Sequence, residues 1–517
     1  MTEQTPARRP ARGARRGAPS VVSPLLQPDN DRVAADAARL VLTDDQDRHA
    51  VLIELRIENG ADPETVRAEF LSMFQALFSG AAPGDQPPPP VPVARHYVQC
   101  VLRSEEIDRL VELDSTPETG EGAARGRLIY RVWPDFIVHA HLDRSVTTVK
   151  ADAAARTFGC SGSGIVWAVV DSGIDRRHPH FQCGTLADPA GASLHRDFTA
   201  MLPTQSGSCG DPLTDAYGHG THVAGIIAGR APTDPALVRI AVNEPTAQSL
   251  PNWTSRTLDP DTTLSGVAPK TRLVSLKVLD DNGDTLSSAV IAAIDHVRAV
   301  NAGGRDLRIH GVNLSLGCAW PPTEYAAGQS PLCRELDLLV GTGVVVVVSA
   351  GNAGASGTVT GSSSDIYGVL STISDPGNAA SAITVGSAHR YKPHTFGITF
   401  DSSKGPTLDG RLKPDLIAPG ERITSAATGK MSAGVGPLAA TTTDLPGIAT
   451  YIEDSGTSMA AAHVSGAIAA FLSTRTEYIG QPQRVKQLFL DTATDLGRHP
   501  FFQGAGLIDL LRALSTV

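Results

Sequence analysis

The sequence predicts an α/β protein in which a doubly wound, mostly parallel sheet is preceded by a smaller α+β domain. Short, almost uninterrupted apolar runs recur from about residue 145 onward, namely GIVWAVV, RLVSLKVL, GVNLSL, GVVVVVSA and AITVGS. Such runs are typical of strands that are buried on both faces of a parallel sheet. Helical patterns lie between or after several of them, for example SSAVIAAIDHVRAV at residues 287–300. This alternation of strand and helix favours the doubly wound class.

The region before the sheet divides into a tail and a small domain. Residues 1–30 open with arginines among Pro, Ala and Gly, a composition that predicts a disordered tail. Residues 31–144 hold a strand HAVLIELRIENG, a helix opened by Asp62 and Pro63, a strand HYVQCVL, a short helix opened by Ser104 and a strand RLIYRVW. A run of prolines in GDQPPPPVPV favours an extended linker after the first helix. Residues 145–517 then form the large domain.

Composition narrows the classes of partner. The net charge of −10 gives no reason to propose nucleic acid as the main partner. The longest apolar runs are far shorter than the roughly 20 residues that a membrane-spanning helix requires, so we expect no membrane contact. The N-terminal tail lacks the apolar core of about 7–15 residues that marks a secretory signal, which predicts a cytoplasmic location, with secretion by another route as the alternative.

The six cysteines leave the redox state open. Cys183 with Cys209, and Cys318 with Cys333, each bracket a polar segment that resembles a surface loop. These pairs would form disulfides in an oxidising compartment and would stay as thiols in a reducing cytosol.

Polar residues follow three of the predicted strands, where the ligand sites of this architecture gather. Asp171 follows GIVWAVV, Gly351 and Asn352 follow GVVVVVSA, and Gly317 follows GVNLSL. Two further segments, YGHGTHVAG and SGTSMAAAHVSG, combine glycines with small residues that let a helix pack closely against its neighbours.

Ser458, in the second of these segments, has two interpretations. A serine at the start of a helix is most often a cap that accepts a hydrogen bond from a free backbone N–H. It is a nucleophile instead where an imidazole takes its proton and a buried carboxylate holds that imidazole in the right tautomer. Asp, His and Ser in these motifs together supply the parts of an acyl-transfer site.

Four segments resemble the motifs of the subtilisin-like serine proteases, the subtilases: Asp171 in VVDSGID, His219 in GHGTHVAG, Asn352 in SAGNAG and Ser458 in GTSMAAAH. The resemblance covers roughly residue 145 to the C-terminus and implies a subtilisin-like fold there. It implies that Ser458 is the nucleophile, His219 the general base and Asp171 the carboxylate that orients it. Asn352 would be the side-chain donor to the oxyanion, with the backbone N–H of Ser458 as the second donor.

The resemblance also implies a substrate-binding strand at Ser315, Leu316 and Gly317, with Gly351 as a further substrate-binding residue. Such a strand pairs its backbone with an extended peptide. The implied function is that of a serine endopeptidase that hydrolyses peptide bonds in extended polypeptide segments through an acyl-enzyme. A binding module that keeps the fold without catalysis is one alternative, although all four catalytic positions are filled. An esterase or peptide ligase is the other.

Other residues near the motifs are expected to be structural. By motif position, His222 is interpreted as a packing histidine and His463 as a structural hydrogen-bonding residue. Asp175 is interpreted as a turn residue. The turn LDDNGD, residues 279–284, corresponds to a wall of the non-prime subsites, and its three aspartates indicate either a solvated turn or a preference for basic substrate residues.

Two departures from the family pattern have consequences. Ala461 and Ala462 stand where the family usually has Ser-Pro, which restores a donor N–H near the start of the helix. His180 stands where many relatives have a calcium-binding aspartate, and a polar insertion at about residues 230–264 replaces the short loop after the histidine helix that contributes to the same calcium site. Calcium requires oxygen ligands, so this predicts that the usual calcium site is absent. No cofactor is expected, and calcium at another position is the alternative.

The first domain resembles the inhibitory propeptide of the family in its strand and helix order and in its end, DFIVHAHLDRS. The resemblance implies that this domain binds the catalytic groove of its own chain and feeds its last residues into the site. The competing interpretation is a permanent docking domain that recruits a substrate or a partner.

Overall fold

The structure is a computed structural model. It describes residues 21–23, 26, 43–44, 47–57, 61–80, 86–115, 127–135, 137–140, 147–181, 184–187, 193–202, 210–234, 237–243, 253–256, 264–319, 323–360, 363–435 and 449–517. The predicted N-terminal tail and the cysteines Cys183 and Cys209 lie mostly or wholly outside these residues. The chain separates into two compact units, one that ends at Pro134 and one that begins at Asp135.

The described residues of the first unit form an antiparallel sheet with two helices. Its strands and helices, in chain order, are β1 (His49–Leu55), α1 (Pro63–Phe78), β2 (Val91–Ala94), β3 (Tyr97–Leu102), α2 (Ser104–Ser115) and β4 (Ile129–Pro134). The strands lie in the order β2-β3-β1-β4. Asp62 caps α1 through a bond from the Thr65 N–H, and Phe70, Phe74 and Phe78 form its buried stripe because residues four apart share one helix face.

The second unit contains the remaining strands and helices. Its strands are β5 (Ile137–Ala140), β6 (Val166–Asp171), β7 (Arg196–Asp197), β8 (Ile240–Asn243), β9 (Trp253–Arg256), β10 (Arg272–Lys277), β11 (Asp284–Leu286), β12 (Gly311–Leu314), β13 (Leu316–Gly317), β14 (Val345–Ser349), β15 (Ala355–Thr360), β16 (Ser363–Gly368), β17 (Ile383–Ala388), β18 (Leu416–Pro419), β19 (Ile423–Ala426) and β20 (Tyr451–Asp454). Its helices are α3 (Ala151–Phe158), α4 (His219–Ile227), α5 (Ser287–Val300), α6 (Pro331–Gly341), α7 (Pro393–Phe396), α8 (Gly429–Ala433), α9 (Thr457–Leu472), α10 (Pro482–Asp491), α11 (Pro500–Gln503) and α12 (Leu510–Thr516).

A seven-stranded sheet forms the centre of this unit, in the order β18-β17-β14-β12-β6-β10-β7. The pairings between its neighbouring strands are parallel. The five apolar runs of the sequence became β6, β10, β12, β14 and β17, and every residue of β6, β12, β14 and β17 is buried. The predicted α/β class is therefore confirmed.

Helix α9 is the core helix of the unit. All of its residues are buried, and it lies against β12, β14, β17, β18 and α4. Small side chains make this close approach possible. A Cβ added at Gly466 would fall 2.7 Å from the Cβ of Val267, well inside van der Waals contact. The close packing of α9 against α4 and the sheet brings the first turns of both helices to the edge where β6 and β12 end.

Two further observations concern the cysteines and membrane-spanning helices. Cys318 and Cys333, which the sequence left open as a pair, are both buried free thiols. Within the described part of the chain, no helix is both long enough and apolar enough to cross a bilayer.

Candidate active site

The end of β6 and the start of α4 place a carboxylate against an imidazole. Asp171 is the last residue of β6 and His219 is the first residue of α4. The Oδ1 atom of Asp171 lies 2.7 Å from the Nδ1 atom of His219, and both side chains are completely buried. The same Oδ1 accepts a bond of 2.8 Å from the N–H of Ser172. A carboxylate on Nδ1 fixes the tautomer in which Nδ1 carries the proton and Nε2 has the lone pair.

A second buried carboxylate, that of Asp215, holds the start of α4. Gly218 occupies the N-cap position with a φ of 107° and has no side chain with which to cap the helix. Asp215 accepts bonds from the N–H of Gly218 at 2.7 Å and from the N–H and hydroxyl of Thr221 at 2.9 and 2.7 Å. Burial raises the pKa of Asp215, and these donors act against that rise. The sequence reasoning missed Asp215, although an acidic residue just before a helix start is a recognisable signal.

Ser458 is the second residue of α9, and its hydroxyl is not a helix cap. The N-cap residue is Gly456, and no side chain caps this helix. The cap interpretation of Ser458 is therefore wrong. Instead the Ser458 hydroxyl donates to the carbonyl of Ser315 at 3.1 Å, and the Ser315 hydroxyl donates to the carbonyl of Ser458 at 2.8 Å. This reciprocal pair fixes the start of α9 to the strand exit after β12.

Asn352 is held by the residue that precedes Ser458. The Oδ1 atom of Asn352 accepts from the N–H of Thr457 at 2.9 Å and from its hydroxyl at 3.0 Å. The N–H of Gly351 donates to the same hydroxyl at 3.1 Å. Because the amide oxygen is bound to Thr457, the Nδ2 donor of Asn352 points to the other side of the carboxamide. This arrangement suits a donor that is aimed at a bound substrate.

Near the site, the strand β5 lies between two other strands of the same chain, β11 and β13. The small sheet has the order β11-β5-β13, with β5 antiparallel to both neighbours. The register pairs Gly317 with His139, Leu316 with Ala140, and Thr285 with Val138. Leu316 and Gly317, which the sequence predicted to bind substrate, therefore pair with an extended segment through their backbone.

Next to β13 lies a cavity of about 410 Å³. Among the described residues, its lining contains no charged side chain and consists of Gly317, Cys318, Ala319, Gly351, Asn352, Ala353, Ser371, Thr372, Ile373, Ser374 and Leu408. Asp375 follows directly, but its carboxyl is buried and accepts from the Nδ2 of Asn378 at 2.8 Å. Burial raises the pKa of Asp375, which disfavours its charged form. The described lining of the cavity thus carries no formal charge.

The sequence model of the Subtilase family matches residues 162–506, which is more than half of the chain. The chain belongs to the subtilase family. It is 29% identical over 382 residues to Subtilisin E of Bacillus subtilis (strain 168), covering 73% of this chain and 74% of that protein. It is 30% identical over 368 residues to Subtilisin of Bacillus pumilus, covering 71% and 97%. It is 27% identical over 394 residues to the Serine protease AprX of Bacillus subtilis (strain 168), covering 74% and 73%. The predicted family is confirmed, and the protein is a serine endopeptidase.

Two further histidines of this subtilase, His222 and His463, have structural partners. His222 contacts the carbonyl of Ile452 through Nε2 at 3.2 Å. His463 contacts the carbonyl of Met459 through Nδ1 at 2.7 Å, and burial lowers the pKa of His463 to about 3. Each ring is bonded to a main-chain oxygen, as the structural interpretation of these two histidines requires.

Two acidic residues of the subtilase have structural partners in turns. Asp175 accepts from the side chains of Arg177 and Thr428. Burial acts to raise the pKa of Asp175, but these hydrogen bonds bring it below its usual value. Asp280, in the turn at residues 279–284, is also buried and accepts from the backbone N–H groups of Asn282 and Asp284 at 2.8 and 3.1 Å. Its carboxylate therefore organises the turn.

His180 of the subtilase occupies the position at which the sequence reasoning looked for a calcium ligand. Its ring is buried, with Nε2 at 3.1 Å from the carbonyl of Gly225 and Nδ1 at 3.4 Å from the hydroxyl of Tyr451. Burial lowers the pKa of His180 to about 3, so the ring is neutral at ordinary pH. A neutral ring nitrogen does not fit calcium, which takes oxygen ligands. Among the described residues, no three His, Cys, Asp or Glu side chains cluster as a metal site would require.

Proposed function

We propose that this subtilase hydrolyses peptide bonds in extended polypeptide segments through an acyl-enzyme, with Asp171, His219 and Ser458 as its triad and Asn352 as the oxyanion donor. The observation that carries the proposal is the buried 2.7 Å bond between the Asp171 carboxylate and the His219 imidazole. A carboxylate without solvent at this distance stabilises the imidazolium that forms when the ring takes a proton.

In the proposed reaction, the Ser458 hydroxyl turns from the Ser315 carbonyl to the Nε2 atom of His219. Nε2 takes the hydroxyl proton as the oxygen attacks the peptide carbonyl, and the negative charge moves to the carbonyl oxygen. The Nδ2 of Asn352 and the backbone N–H of Ser458 stabilise this oxyanion, since the first N–H groups of α9 lack intrahelical partners. His219 then gives the proton to the leaving amine. Water then attacks the carbonyl of the acyl-enzyme, with His219 again taking and returning the proton, and the acyl group leaves Ser458 as the carboxylic acid product.

The cavity beside Gly317 and Asn352, whose described lining is uncharged, accepts the side chain of the residue just before the cleaved peptide bond. A neutral lining disfavours an ammonium or carboxylate there, because a buried charge needs a partner. We therefore expect that peptides with Leu, Phe or Met at that position have a kcat/KM at least about tenfold above those with Lys, Arg, Asp or Glu, a difference of about 1.4 kcal/mol in transition-state binding. A preference for Lys or Arg in such a panel would reject this assignment and would favour the alternative that the aspartates of the turn at residues 279–284 select basic substrate residues.

The pairing of β5 with β13, the segment to which we assign substrate binding, supports docking in cis. The backbone of β5 pairs with both β11 and β13, as an added peptide strand would. Just before it, Asp135 accepts from the hydroxyl of Ser287 at 2.7 Å and the N–H of Ser288 at 2.8 Å, at the start of α5. A carboxylate at that helix end interacts favourably with the helix dipole. We infer that the N-terminal part of the chain inhibits the groove until it is cut.

Intact mass after expression tests this inference. Wild-type protein should yield a fragment that begins within a few residues after Ala140, and Ser458→Ala should keep its full mass. A wild-type chain that is active and stays uncut would favour the permanent docking domain.

Labelling with a fluorophosphonate tests the reaction itself. The wild-type chain should become labelled on Ser458, and Ser458→Ala should not. A folded wild-type chain that has lost its N-terminal part and neither labels nor cleaves a peptide would leave the binding-module alternative, and turnover of esters without peptides would leave the esterase alternative.

We also propose that the enzyme needs no calcium at the His180 position. A thermal melt with and without chelator checks this, and a fall of Tm by many degrees on chelation would contradict it.

A further inference from the structure

Lys404 is a buried lysine whose ammonium is held by backbone carbonyls. The residue lies between β17 and β18 and is only 4% exposed. Its Nζ donates to the carbonyls of Gly354 at 2.7 Å, Phe400 at 2.8 Å and Ser402 at 2.9 Å. It also lies 5.8 Å from the centre of the Phe502 ring. An ammonium group has three N–H donors, so this set of acceptors satisfies it fully without a carboxylate.

One of these carbonyls belongs to the loop that carries Asn352. The segment around Lys404 binds this loop at several consecutive peptide groups. The contacts are Ser403 N–H to Gly351 O at 2.8 Å, Ala353 N–H to Ser403 Oγ at 3.1 Å, Gly354 N–H to Asp401 O at 2.8 Å, and Lys404 Nζ to Gly354 O. Residues 351–354 are therefore fixed by hydrogen bonds on both sides of Asn352.

The contact is too close for any residue larger than glycine at position 354. A Cβ there would fall 1.8 Å from the carbonyl oxygen of Ser402 and 2.4 Å from the Nζ of Lys404. Three carbonyl oxygens converge on one point in this packing, and their partial negative charges repel one another unless a cation lies between them. The ammonium therefore explains how the two segments approach so closely.

We propose that Lys404 is a positioning residue for the oxyanion donor: its ammonium fixes the loop at residues 351–354, so that Thr457 on one side and Lys404 on the other hold Asn352 in place. This inference rests on the proposed function, because it needs Asn352 to act on the oxyanion. A donor of this kind loses most of its effect when it moves by a fraction of an ångström to an ångström.

The expected signature is a loss in kcat with little change in KM. The oxyanion exists only in the transition state, so a misplaced Asn352 should slow the reaction without weakening ground-state binding. For Lys404→Met, which keeps the length of the side chain without the charge, we expect kcat to fall about tenfold to a hundredfold. Lys404→Arg keeps the charge and should recover part of the loss.

A double-mutant cycle with Asn352→Ala separates positioning from a general structural role. If Lys404 acts through Asn352, then Lys404→Met should cost little in an Asn352→Ala background, because the donor is already gone. Ammonium or methylammonium chloride should raise the kcat of Lys404→Ala, whose short side chain leaves room for a cation among the three carbonyls, and tetramethylammonium chloride at the same ionic strength should not.

The outcomes are distinguishable. Fluorophosphonate labelling is measured first, on wild-type chain from which the N-terminal part has been cut and with Ser458→Ala as the control, and its failure rejects the proposed function and not the contacts of Lys404. With labelling present, an unchanged kcat in Lys404→Met, or an equal loss with and without Asn352, overturns the positioning role. If Lys404→Met does not fold, Lys404→Gln, which keeps two N–H donors without charge, goes through the same cycle and decides by the same criterion.

Discussion

The substitution Asp171→Asn tests the buried carboxylate on His219 most directly. It keeps the shape of the side chain and an oxygen acceptor for the Nδ1–H, and it removes the negative charge. Both partners are completely buried, and their closest atoms are 2.7 Å apart. With the centres of charge about 4 Å apart and an effective dielectric of about 20, the carboxylate stabilises the imidazolium by about 4 kcal/mol. At about 1.36 kcal/mol per decade, kcat should fall about a thousandfold.

The assay is steady-state hydrolysis of a peptide with an apolar residue at the cleaved position. Asp175→Asn is the matched control, since it makes the same chemical change four residues later, at a carboxylate that bonds to Arg177 and Thr428. The control should stay within about threefold of wild type, in the range of an ordinary structural change of less than 1 kcal/mol. An Asp171→Asn enzyme that loses less than about tenfold, or that loses no more than Asp175→Asn, would refute the role of this contact in catalysis.

Three further predictions follow from packing and charge. His180 and His463 have a folded-state pKa of about 3 because of burial, below the unfolded value of 6.5, so the unfolded chain binds protons more readily. The contribution of these two neutral histidines to the free energy of unfolding is complete above pH 6.5 and is lost as pH falls toward 3. Tm should therefore drop across that window, and less steeply in His180→Gln. Gly466→Ala should lower Tm, because the Cβ at 2.7 Å from Val267 costs about 1–3 kcal/mol against a gain in helix propensity of about 1 kcal/mol. A raised Tm would show that α9 moves away from Val267 at little cost in free energy. Thr457→Val should lower kcat about tenfold at nearly constant KM. The substitution removes the hydroxyl bond to the Oδ1 of Asn352, which orients the oxyanion donor, and leaves the Gly351 N–H without its acceptor. An unchanged kcat would mean that the remaining N–H bond is sufficient.

Local patterns in the sequence carried most of the fold. The apolar runs that became β6, β12, β14 and β17 are buried on both faces, and a strand of that kind leaves an almost continuous hydrophobic record. The helix predicted at residues 287–300 is α5 with the same bounds. The Asp, His, Asn and Ser motifs were also readable, because glycines and small residues at a strand exit or helix start have a chemical reason to be there.

Other features depend on contacts that no local pattern records. Ser458 looked like a possible helix cap, but Gly456 holds the cap position and the Ser458 hydroxyl faces the Ser315 carbonyl, 143 residues away in the chain. No local pattern in the sequence distinguishes Lys404, and only its place among the carbonyls of Gly354, Phe400 and Ser402 shows a buried cation.

The sequence by itself determined which side chains are available, which segments bury themselves in a sheet, and the family to which the chain belongs. The tertiary structure decided which of those side chains meet. Asp171 and His219 are 48 residues apart in the chain, yet the packing of α4 beside β6 holds them at 2.7 Å. The physical reason is that hydrophobic burial is nondirectional and leaves its period in the sequence, whereas a hydrogen bond depends on tenths of an ångström that the whole packed core sets.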